Sequence, residues 1–462
     1  MRHLKLFSLV SVASLTLLAG GCGGNRIGHT TQAITFVNPG TQTAGTSLTL
    51  SATASSGAAV RLTSATPGVC TVSGTTATFV TVGTCTIDAS QSGNRTYAAA
   101  SQVAQSFTVN PAIGPNTTIY IAGFAYSSAS TPSNDVIVAE VWQLTSGNPT
   151  ATATALSMPS GMTSAQANAI AVSDSDVYVV GTAWNSTSQV PVLWVNGAAT
   201  TLPSGMTISR ANAIAVSGGN VYAAGFEENS EINATAVLWV NGTATTLSPP
   251  SGMVNSYAAA IAVSGSDVYV VGTAWNSDSD NDNTAVYWVN GGAPTILPIP
   301  SGLTGNYYAE GVAVSGADVY VSGLTDSSAD IDTAIYWVNN GAATTLPIPP
   351  NDTAGNYGAG GITVSGSDVY VAGSGTNGAT GDGNAAYWMN GTATSLPMPS
   401  NLTGPVAGSG ASGIAVSGGD VYAVGSAGQY AAYWVNGGEG TLLPMPSGTY
   451  ESWAGAIAVA TQ

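Results

Sequence analysis

The fold is decided by four short apolar runs in sequence: Ala260-Ile-Ala-Val-Ser264, Asp267-Val-Tyr-Val-Val-Gly272, Ala285-Val-Tyr-Trp-Val-Asn290 and Pro294-Thr-Ile-Leu-Pro298. Variants of this phrase occur seven times between Thr118 and Gln462. The second run always ends in glycine: Gly123, Gly181, Gly225, Gly272, Gly323, Gly373 and Gly425. The third run always carries tryptophan: Trp142, Trp194, Trp239, Trp288, Trp337, Trp388 and Trp434. Because each run is short and bounded by turn residues, the unit is expected to be four β-strands.

This repeat predicts a seven-bladed β-propeller over residues 118–462. A period of roughly 45 to 52 residues with four strands per copy is typical of propeller blades. The chain enters at Thr118-Ile-Tyr-Ile-Ala-Gly123, a second strand without a first, and leaves at Ala456-Ile-Ala-Val459, a first strand alone. We expect the two to pair and close the ring, because closure hides sheet edges. An open solenoid is the alternative, although it would need capping repeats.

Composition places the whole chain in the all-β class and excludes one class of partner. No long helical periodicity occurs, and charged residues make up only 6% of the chain, with a net charge of −17. Beyond residue 116, Arg210 is the single cationic side chain among twenty-two carboxylates (the 23 of the chain less Asp88). Nucleic acid is therefore excluded as a partner, because phosphate binding needs clustered Lys and Arg.

Residues 1–21 have the pattern of a secretory signal, with Arg2 and Lys5 before an apolar run that is too short to span a membrane. The small residues before Cys22 resemble the lipobox of bacterial lipoproteins. That resemblance implies that Cys22 is lipidated, and Gly23 after it implies sorting to the outer membrane. A cleaved soluble protein is the alternative. Residues 22–31 are expected to be a flexible linker, and the lipid is the only membrane contact expected.

Residues 32–110 carry a different strand pattern, with turn residues at the spacing of a β-sandwich. The stretch Gly68-Val-Cys-Thr-Val-Ser-Gly74 with Gly83-Thr-Cys-Thr-Ile87 looks like an Ig-like domain of secreted bacterial proteins. In an exported chain Cys70 and Cys85 are expected to form a disulfide. We interpret this module as a spacer and residues 111–117 as a linker.

The propeller phrase itself resembles repeats of secreted bacterial proteins of unassigned role. It is also similar to the extracellular HAF-type repeats, which share a Trp-x-Asn-Gly segment with it. This resemblance implies architecture and transfers no site residue. Kelch and WD repeats differ, since their Gly-Gly and Gly-His/Trp-Asp landmarks are missing from this sequence.

Two of the four connections in each copy are expected to be tight turns, and the other two to be long and irregular. Asp176, Asp267, Asp318, Asp368 and Asp420 lie in the tight turns and are expected to form them. In an up-and-down blade, all variable connections lie on one side of the disc. Because rigid scaffolds usually display binding residues on such loops, this side is the predicted binding surface.

Acidic residues are frequent in the variable loops: Glu227, Glu228 and Glu231, then Asp278, Asp280 and Asp282, then Asp326, Asp330 and Asp332. The spacing of Asp278, Asp280 and Asp282 could wrap calcium, but Asn283 stands where an EF-type loop needs glycine. A solvated acidic loop and a site for a cationic partner are the alternatives. No other cofactor is expected.

The candidate ligand-binding residues approach the predicted central channel. Four residues before the first-strand Ile or Val stand Gln166, Arg210, Tyr257, Tyr308 and Trp453, and two residues before it stand Asn168, Asn212 and Glu310. Trp184 and Trp275, with Tyr126 in the same register, follow the second strand and could stack on sugar rings or pack against their own blades. Arg210 could bind a carboxylate or neutralise a neighbouring acid.

Residue types exclude most catalytic mechanisms. The mature chain has one histidine, His29, and no lysine, which leaves carboxylate pairs or tyrosine as catalytic groups. The sequence therefore predicts a lipid-anchored surface protein whose propeller binds an extracellular glycan or peptide, with a monomer assumed. One alternative is a carboxylate-dependent glycan hydrolase or lyase. Another is a structural envelope or adhesion protein.

Overall fold

The computed structural model describes residues 29–114, 116–127, 136–146, 148–229, 233–276, 283–299, 305–326, 332–350, 352, 356–376, 382–400, 402 and 408–461. Over these residues the chain is all-β, as the sequence predicts. No helix in the described part is long and apolar enough to cross a bilayer. The predicted signal peptide and Cys22 lie outside the described residues.

The N-terminal module contains nine short strands. They are β1 (Ile34–Phe36), β2 (Gln42–Thr43), β3 (Ser47–Thr49), β4 (Ala52–Ala54), β5 (Arg61–Ser64), β6 (Cys70–Ser73), β7 (Thr76–Phe79), β8 (Gly83–Ser90) and β9 (Val103–Asn110). One sheet has the order β2-β9-β8-β5, a second has the order β3-β7-β6, and β1 pairs with β4. Phe79 and Phe107 pack edge to face in the core, with ring centroids 5.8 Å apart. Cys70 and Cys85 form the predicted disulfide.

The described residues from 117 to 461 form seven four-stranded antiparallel units, of which the second and third are joined into one sheet by a single parallel pair, Gln189 with Ile208. The first unit combines the last strand of the chain, β37 (Thr449–Thr461), with β10 (Thr117–Ser127), β11 (Val136–Thr145) and β12 (Asn148–Ala155). The second unit is β13 (Ser164–Ser173), β14 (Asp176–Trp184), β15 (Gln189–Val195) and β16 (Ala198–Thr201). The third is β17 (Ile208–Ser217), β18 (Asn220–Glu228), β19 (Ala234–Val240) and β20 (Thr243–Leu247).

The remaining four units repeat this pattern. The fourth is β21 (Asn255–Ser264), β22 (Asp267–Trp275), β23 (Thr284–Val289) and β24 (Thr295–Ile296). The fifth is β25 (Asn306–Ser315), β26 (Asp318–Asp326), β27 (Asp332–Val338) and β28 (Thr344–Thr345). The sixth is β29 (Asn356–Ser365), β30 (Asp368–Thr376), β31 (Gly383–Met389) and β32 (Thr392–Ser395). The seventh is β33 (Ser409–Ser417), β34 (Asp420–Ala427), β35 (Tyr430–Val435) and β36 (Thr441–Leu442).

The two ends of the repeat region meet in the first unit. Strand β37 pairs antiparallel with β10, so that Ile119 lies opposite Val459 and Ala122 lies opposite Ala456. The innermost strands of successive units contact one another in the order β13, β17, β21, β25, β29, β33 and β37. Strand β37 contacts β13 as well as β33. The N-terminal half-unit and the C-terminal strand therefore complete each other.

Each innermost strand contains a β-bulge. The bulged residues are Asn168, Asn212, Ala259, Glu310, Gly360 with Gly361, Ser412 and Gly455. Next to the bulge, a backbone carbonyl approaches the second strand so closely that a Cβ on Gly272 would lie 2.0 Å from the carbonyl oxygen of Tyr257. The same distance is 1.9–2.1 Å at the six equivalent glycines. This contact explains why every second run ends in glycine.

The seven tryptophans join neighbouring units. All of them are fully buried, and each indole Nε1 donates to a backbone carbonyl that follows the fourth strand of the preceding unit, at 2.7–2.9 Å. The acceptors, in chain order of the donors, are Pro444, Ser157, Pro203, Ser248, Pro298, Pro347 and Pro397. Since Trp142 of the first unit bonds to Pro444 of the seventh, the same contact also links the two ends of the repeat region.

The tight turns account for the repeated aspartates. In six of the seven units an asparagine with a left-handed backbone opens the third-to-fourth turn, with φ of 47–52° at Asn196, Asn241, Asn290, Asn339, Asn390 and Asn436. Its Nδ2 donates to the first residue of the second strand at 2.6–2.9 Å. That acceptor is Asp176, Asn220, Asp267, Asp318, Asp368 or Asp420. The aspartates therefore clamp two turns together. We call the opposite ends of the strands the loop side.

One core position breaks the repeat. Two residues before the tryptophan, six units bury an aliphatic side chain: Val192, Val237, Val286, Ile335, Ala386 and Ala432. The first unit buries Glu140 there, with 2% of its surface exposed, and its Oε2 has no hydrogen-bond partner in the structure. Glu140 lies on the same side of β11 as Trp142, which packs against Tyr422 and Tyr433 of the seventh unit. Burial raises the pKa of Glu140 to about 7.

Glu140→Val should stabilise the protein, most strongly above pH 7. Because folding raises the pKa of this acid, the native state loses stability as the pH rises from about 4.5 to about 7. Removing the buried carboxylate should raise the free energy of unfolding by about 1–3 kcal/mol at pH 8. The gain should be smaller at pH 5, where the native glutamate is protonated. Urea unfolding at both pH values measures this difference, and a variant less stable than the parent at pH 8 would contradict it.

Candidate functional site

The innermost strands surround a cavity of about 540 Å³. Every bulged residue lines it, together with small and aliphatic residues such as Ala260 and Ile414. A bulge breaks the regular alternation of side chains, so it can turn a polar residue toward a space that the flanking residues do not reach. The polar lining includes Asn168, Asn212, Glu310 and Ser412.

The two candidate asparagines tie adjacent units together. Asn168 Nδ2 donates to the carbonyl of Ala211 at 2.8 Å, and Asn212 Nδ2 donates to the carbonyl of Ala258 at 2.8 Å. Each acceptor lies on the innermost strand of the next unit. These amides therefore hold the wall of the cavity in place while they line it.

Glu310 is the one carboxylate among the described residues that line the cavity. Tyr257 Oη donates to Glu310 Oε1 at 3.3 Å, and Thr273 Oγ1 donates to Tyr257 Oη at 3.3 Å. Burial raises the pKa of Glu310, and the hydrogen bond from Tyr257 opposes that rise. Burial, followed by the charge of Glu310, also raises the pKa of Tyr257. Tyr257 therefore stays a neutral donor at physiological pH.

Tyr257 is the centre of an aromatic group that we call the Tyr257 cluster, which consists of Phe226, Tyr257 and Trp275. The ring of Tyr257 lies 6.4 Å from Phe226 and 6.0 Å from Trp275 between centroids. Arg210 stacks its guanidinium over Phe226 at 5.6 Å, and its Nε donates to Gln189 Oε1 at 3.2 Å. All three rings are half-buried and lie toward the loop side of the third and fourth units.

A second aromatic group, the Trp453 cluster, consists of Phe124, Tyr126, Tyr450 and Trp453 in the first unit. Trp453 lies 5.9 Å from Phe124 and 6.4 Å from Tyr126, and Tyr126 lies 6.1 Å from Tyr450. This group forms because β37 brings Trp453 opposite Phe124. The loop side therefore carries two separate aromatic surfaces.

Sequence reasoning missed Phe226 and Phe124. Both directly follow the invariant glycine of the second run, at Gly225 and Gly123, and they lie opposite Arg210 and Trp453 in the strand register. An alignment of the repeats contains a signal for both phenylalanines. The residue after the invariant glycine pairs across the strands with the residue four positions before the first-strand Ile or Val, which was already a candidate position.

The candidates Trp184 and Tyr308 lie outside the two aromatic clusters. Trp184 ends β14 half-buried and makes no ring contact recorded in the described residues. Tyr308 is half-buried, and its hydroxyl accepts from Asn283 Nδ2 at 3.2 Å. Trp184 and Trp275 are each the last residue of a second strand rather than the start of a loop, because the hairpins extend further than the apolar runs.

Two expectations about the variable loops are wrong. Glu227 is not in a solvated loop: it lies in β18, is buried, and accepts from the backbone N–H of Gly205 at 3.1 and 3.2 Å. The second-to-third connection is also not always long, since β34 and β35 are joined by Gly428 and Gln429 alone. In both cases the strands are longer than the apolar runs, because backbone pairing continues through the polar residues that follow them.

The predicted calcium ligands Asp278, Asp280 and Asp282 lie outside the described residues, as do Glu231 and Asp330. Within the described ranges, no group of three His, Cys, Asp or Glu side chains is close enough to hold a metal ion. Calcium binding therefore stays a prediction from the sequence.

No protein-family model matches the chain, and no curated protein matches it in sequence. Among solved structures, the chain is similar to the β-propeller domain of the Trilobed protease from Pyrococcus furiosus, with 10% identity over 74% of this chain and 96% of that chain, and a TM-score of 0.40. It is also similar to acylaminoacyl peptidase from Pyrococcus horikoshii, with 11% identity over 73% of this chain and 52% of that chain, and a TM-score of 0.42. YjhT matches over 66% of this chain and 98% of that chain, with 12% identity and a TM-score of 0.34.

These similarities are weak, and the matched proteins have propeller-like folds. At such identities and TM-scores they transfer no site residue and no activity to this chain. The site described above therefore rests on the geometry of this chain alone.

Glu310→Gln should make the protein more stable than the parent, and the difference in melting temperature should grow as the pH rises. Folding raises the pKa of Glu310, so the native state binds the proton more tightly than the unfolded chain and loses stability as the pH rises through that raised value. The amide keeps an acceptor for Tyr257 and removes the charge. The melting temperature of the variant should exceed that of the parent at pH 8, and the difference should vanish near pH 4. A constant difference across this range would contradict the titration of Glu310.

Proposed function

We propose that residues 117–461 form a closed seven-bladed β-propeller that binds an extracellular glycan at its loop side. Closure is supported by the pairing of β10 with β37, by the contact of β37 with both β33 and β13, and by the bond from Trp142 to Pro444. A closed ring has no free sheet edge, so it can carry irregular loops on a rigid frame.

The observation that carries this function is the Tyr257 cluster beside the Glu310 cavity. Half-buried aromatic rings offer apolar faces on which sugar rings can stack, and the adjacent carboxylate and hydroxyl groups can hydrogen-bond sugar hydroxyls. The Trp453 cluster offers a second stacking surface on the same side. An extracellular peptide is the alternative ligand, since aromatic clusters also hold apolar side chains.

The N-terminal module leaves the loop side accessible in this proposal. Thr84 Oγ1 lies 2.8 Å from Ser400 Oγ, and a cavity of about 210 Å³ is lined by Asn110 of the module and by Thr441 of the outer strand β36. The module thus contacts the connection after β32 and the outer strand β36 of the seventh unit, whereas the Tyr257 cluster belongs to the third and fourth units. We propose that it is an Ig-like spacer and that lipidated Cys22 holds the protein at the bacterial outer membrane, as a monomer.

The alternative functions have less support. A glycan hydrolase would need two carboxyl groups across the scissile bond, and the described lining of the cavity includes Glu310 alone. A structural envelope protein would not need half-buried rings on its loop side. Binding is therefore the function that the site supports best.

A glycan array with Trp275→Ala and Trp453→Ala tests the proposal. Losing a stacking ring should weaken the best ligand by about tenfold, because an aromatic contact contributes about 0.5–1.5 kcal/mol beyond its buried area. Val80→Ala removes an exposed apolar side chain from the N-terminal module and should leave binding unchanged. An array without any bound glycan, or binding equal in all four proteins, would contradict the proposed function.

A further inference from the structure

The propeller region carries far more negative than positive charge. Twenty-two of the 23 carboxylates of the chain lie beyond residue 116, where Arg210 is the single cationic side chain. Such a surface attracts cations and repels anionic ligands over about one Debye length. Glycans rich in uronate, sulfate or phosphate are therefore disfavoured as ligands.

Glu310 has no cationic partner among the described residues. It accepts a hydrogen bond from the neutral hydroxyl of Tyr257. The one cation of the propeller region, Arg210, stacks on Phe226 and donates to Gln189. A mostly buried carboxylate that faces a cavity without a counter-ion gains stability when a ligand supplies the positive charge.

The rings beside Glu310 suit a cation as well. Aromatic faces attract ammonium and guanidinium groups through their quadrupole. Phe226 already holds the Arg210 guanidinium at 5.6 Å in this way. Tyr257 reaches Glu310 through its hydroxyl, and Trp275 lies next to Tyr257, with ring centroids 6.0 Å apart.

We propose that Glu310, which accepts a hydrogen bond from Tyr257, forms a subsite for an ammonium group in the cavity, and that the glycan ligand is a polymer of amino sugars with free amines. This inference rests on the proposed glycan-binding function and specifies its ligand class. The carboxylate supplies the charge, and the cavity that it lines, of about 540 Å³, has the volume of a small-molecule site.

Calorimetry with the intact chain and two matched oligosaccharides tests the subsite. The glucosamine hexamer should bind at least about tenfold more tightly than the N-acetylglucosamine hexamer, because only the former carries ammonium groups. Glu310→Gln should remove that preference, because its neutral amide cannot pair with an ammonium group. Binding should also lower the pKa of Glu310, which carboxyl NMR of labelled glutamate measures.

Glu228→Gln is the matched control, since it removes the same charge from the loop-side end of β18. If both variants reduce the preference equally, the effect is a general one of surface charge and the subsite is overturned. Equal affinity for the two hexamers overturns it as well, while a glycan found on the array would leave the broader function intact. Tetralysine that binds more tightly than the glucosamine hexamer would overturn the amino sugar as the source of the ammonium group.

Discussion

The pairing of β37 with β10 is the contact on which the rest of the structure depends. It joins residues that lie more than three hundred positions apart, since Ile119 lies opposite Val459. The same strand brings Gly455 to the cavity and Trp453 to Phe124. Without it, the first unit would lack its innermost strand, and the seventh would present an uncovered face to water. The bond from Trp142 to Pro444 adds a second link across the same junction.

The β-bulge that recurs in each innermost strand shapes the cavity and places polar side chains in it. One strand bulge per unit turns a residue toward the cavity and presses a carbonyl against an invariant glycine. Where the bulged residue is Asn168 or Asn212, the side chain links neighbouring units. Where it is Glu310, the same geometry places a carboxylate in the cavity beside Tyr257. Structural and binding roles therefore arise from one position of the repeat.

The sequence predicted the all-β class, the strand order, the turn role of the aspartates and the disulfide between Cys70 and Cys85. It could do so because strand periodicity, Asn-Gly turns and paired cysteines are local signals. It also selected three of the bulged residues, Asn168, Asn212 and Glu310, as candidates, but it gave no sign of the bulges, which depend on pairing between strands. Phe226 was missed for the same reason, because its contact with Arg210 follows from register. Glu227 was assigned to a solvated loop because its strand continues through polar residues.

Amide hydrogen exchange of β37 tests the central contact most directly. In the intact chain, the peptide covering residues 453–461 should be protected as strongly as residues 257–264 of the innermost strand β21, since each pairs with the second strand of its own unit. Comparable protection is the result that we predict. Rapid exchange over residues 453–461, with β21 still protected, would show that the last strand is unpaired and would contradict the account.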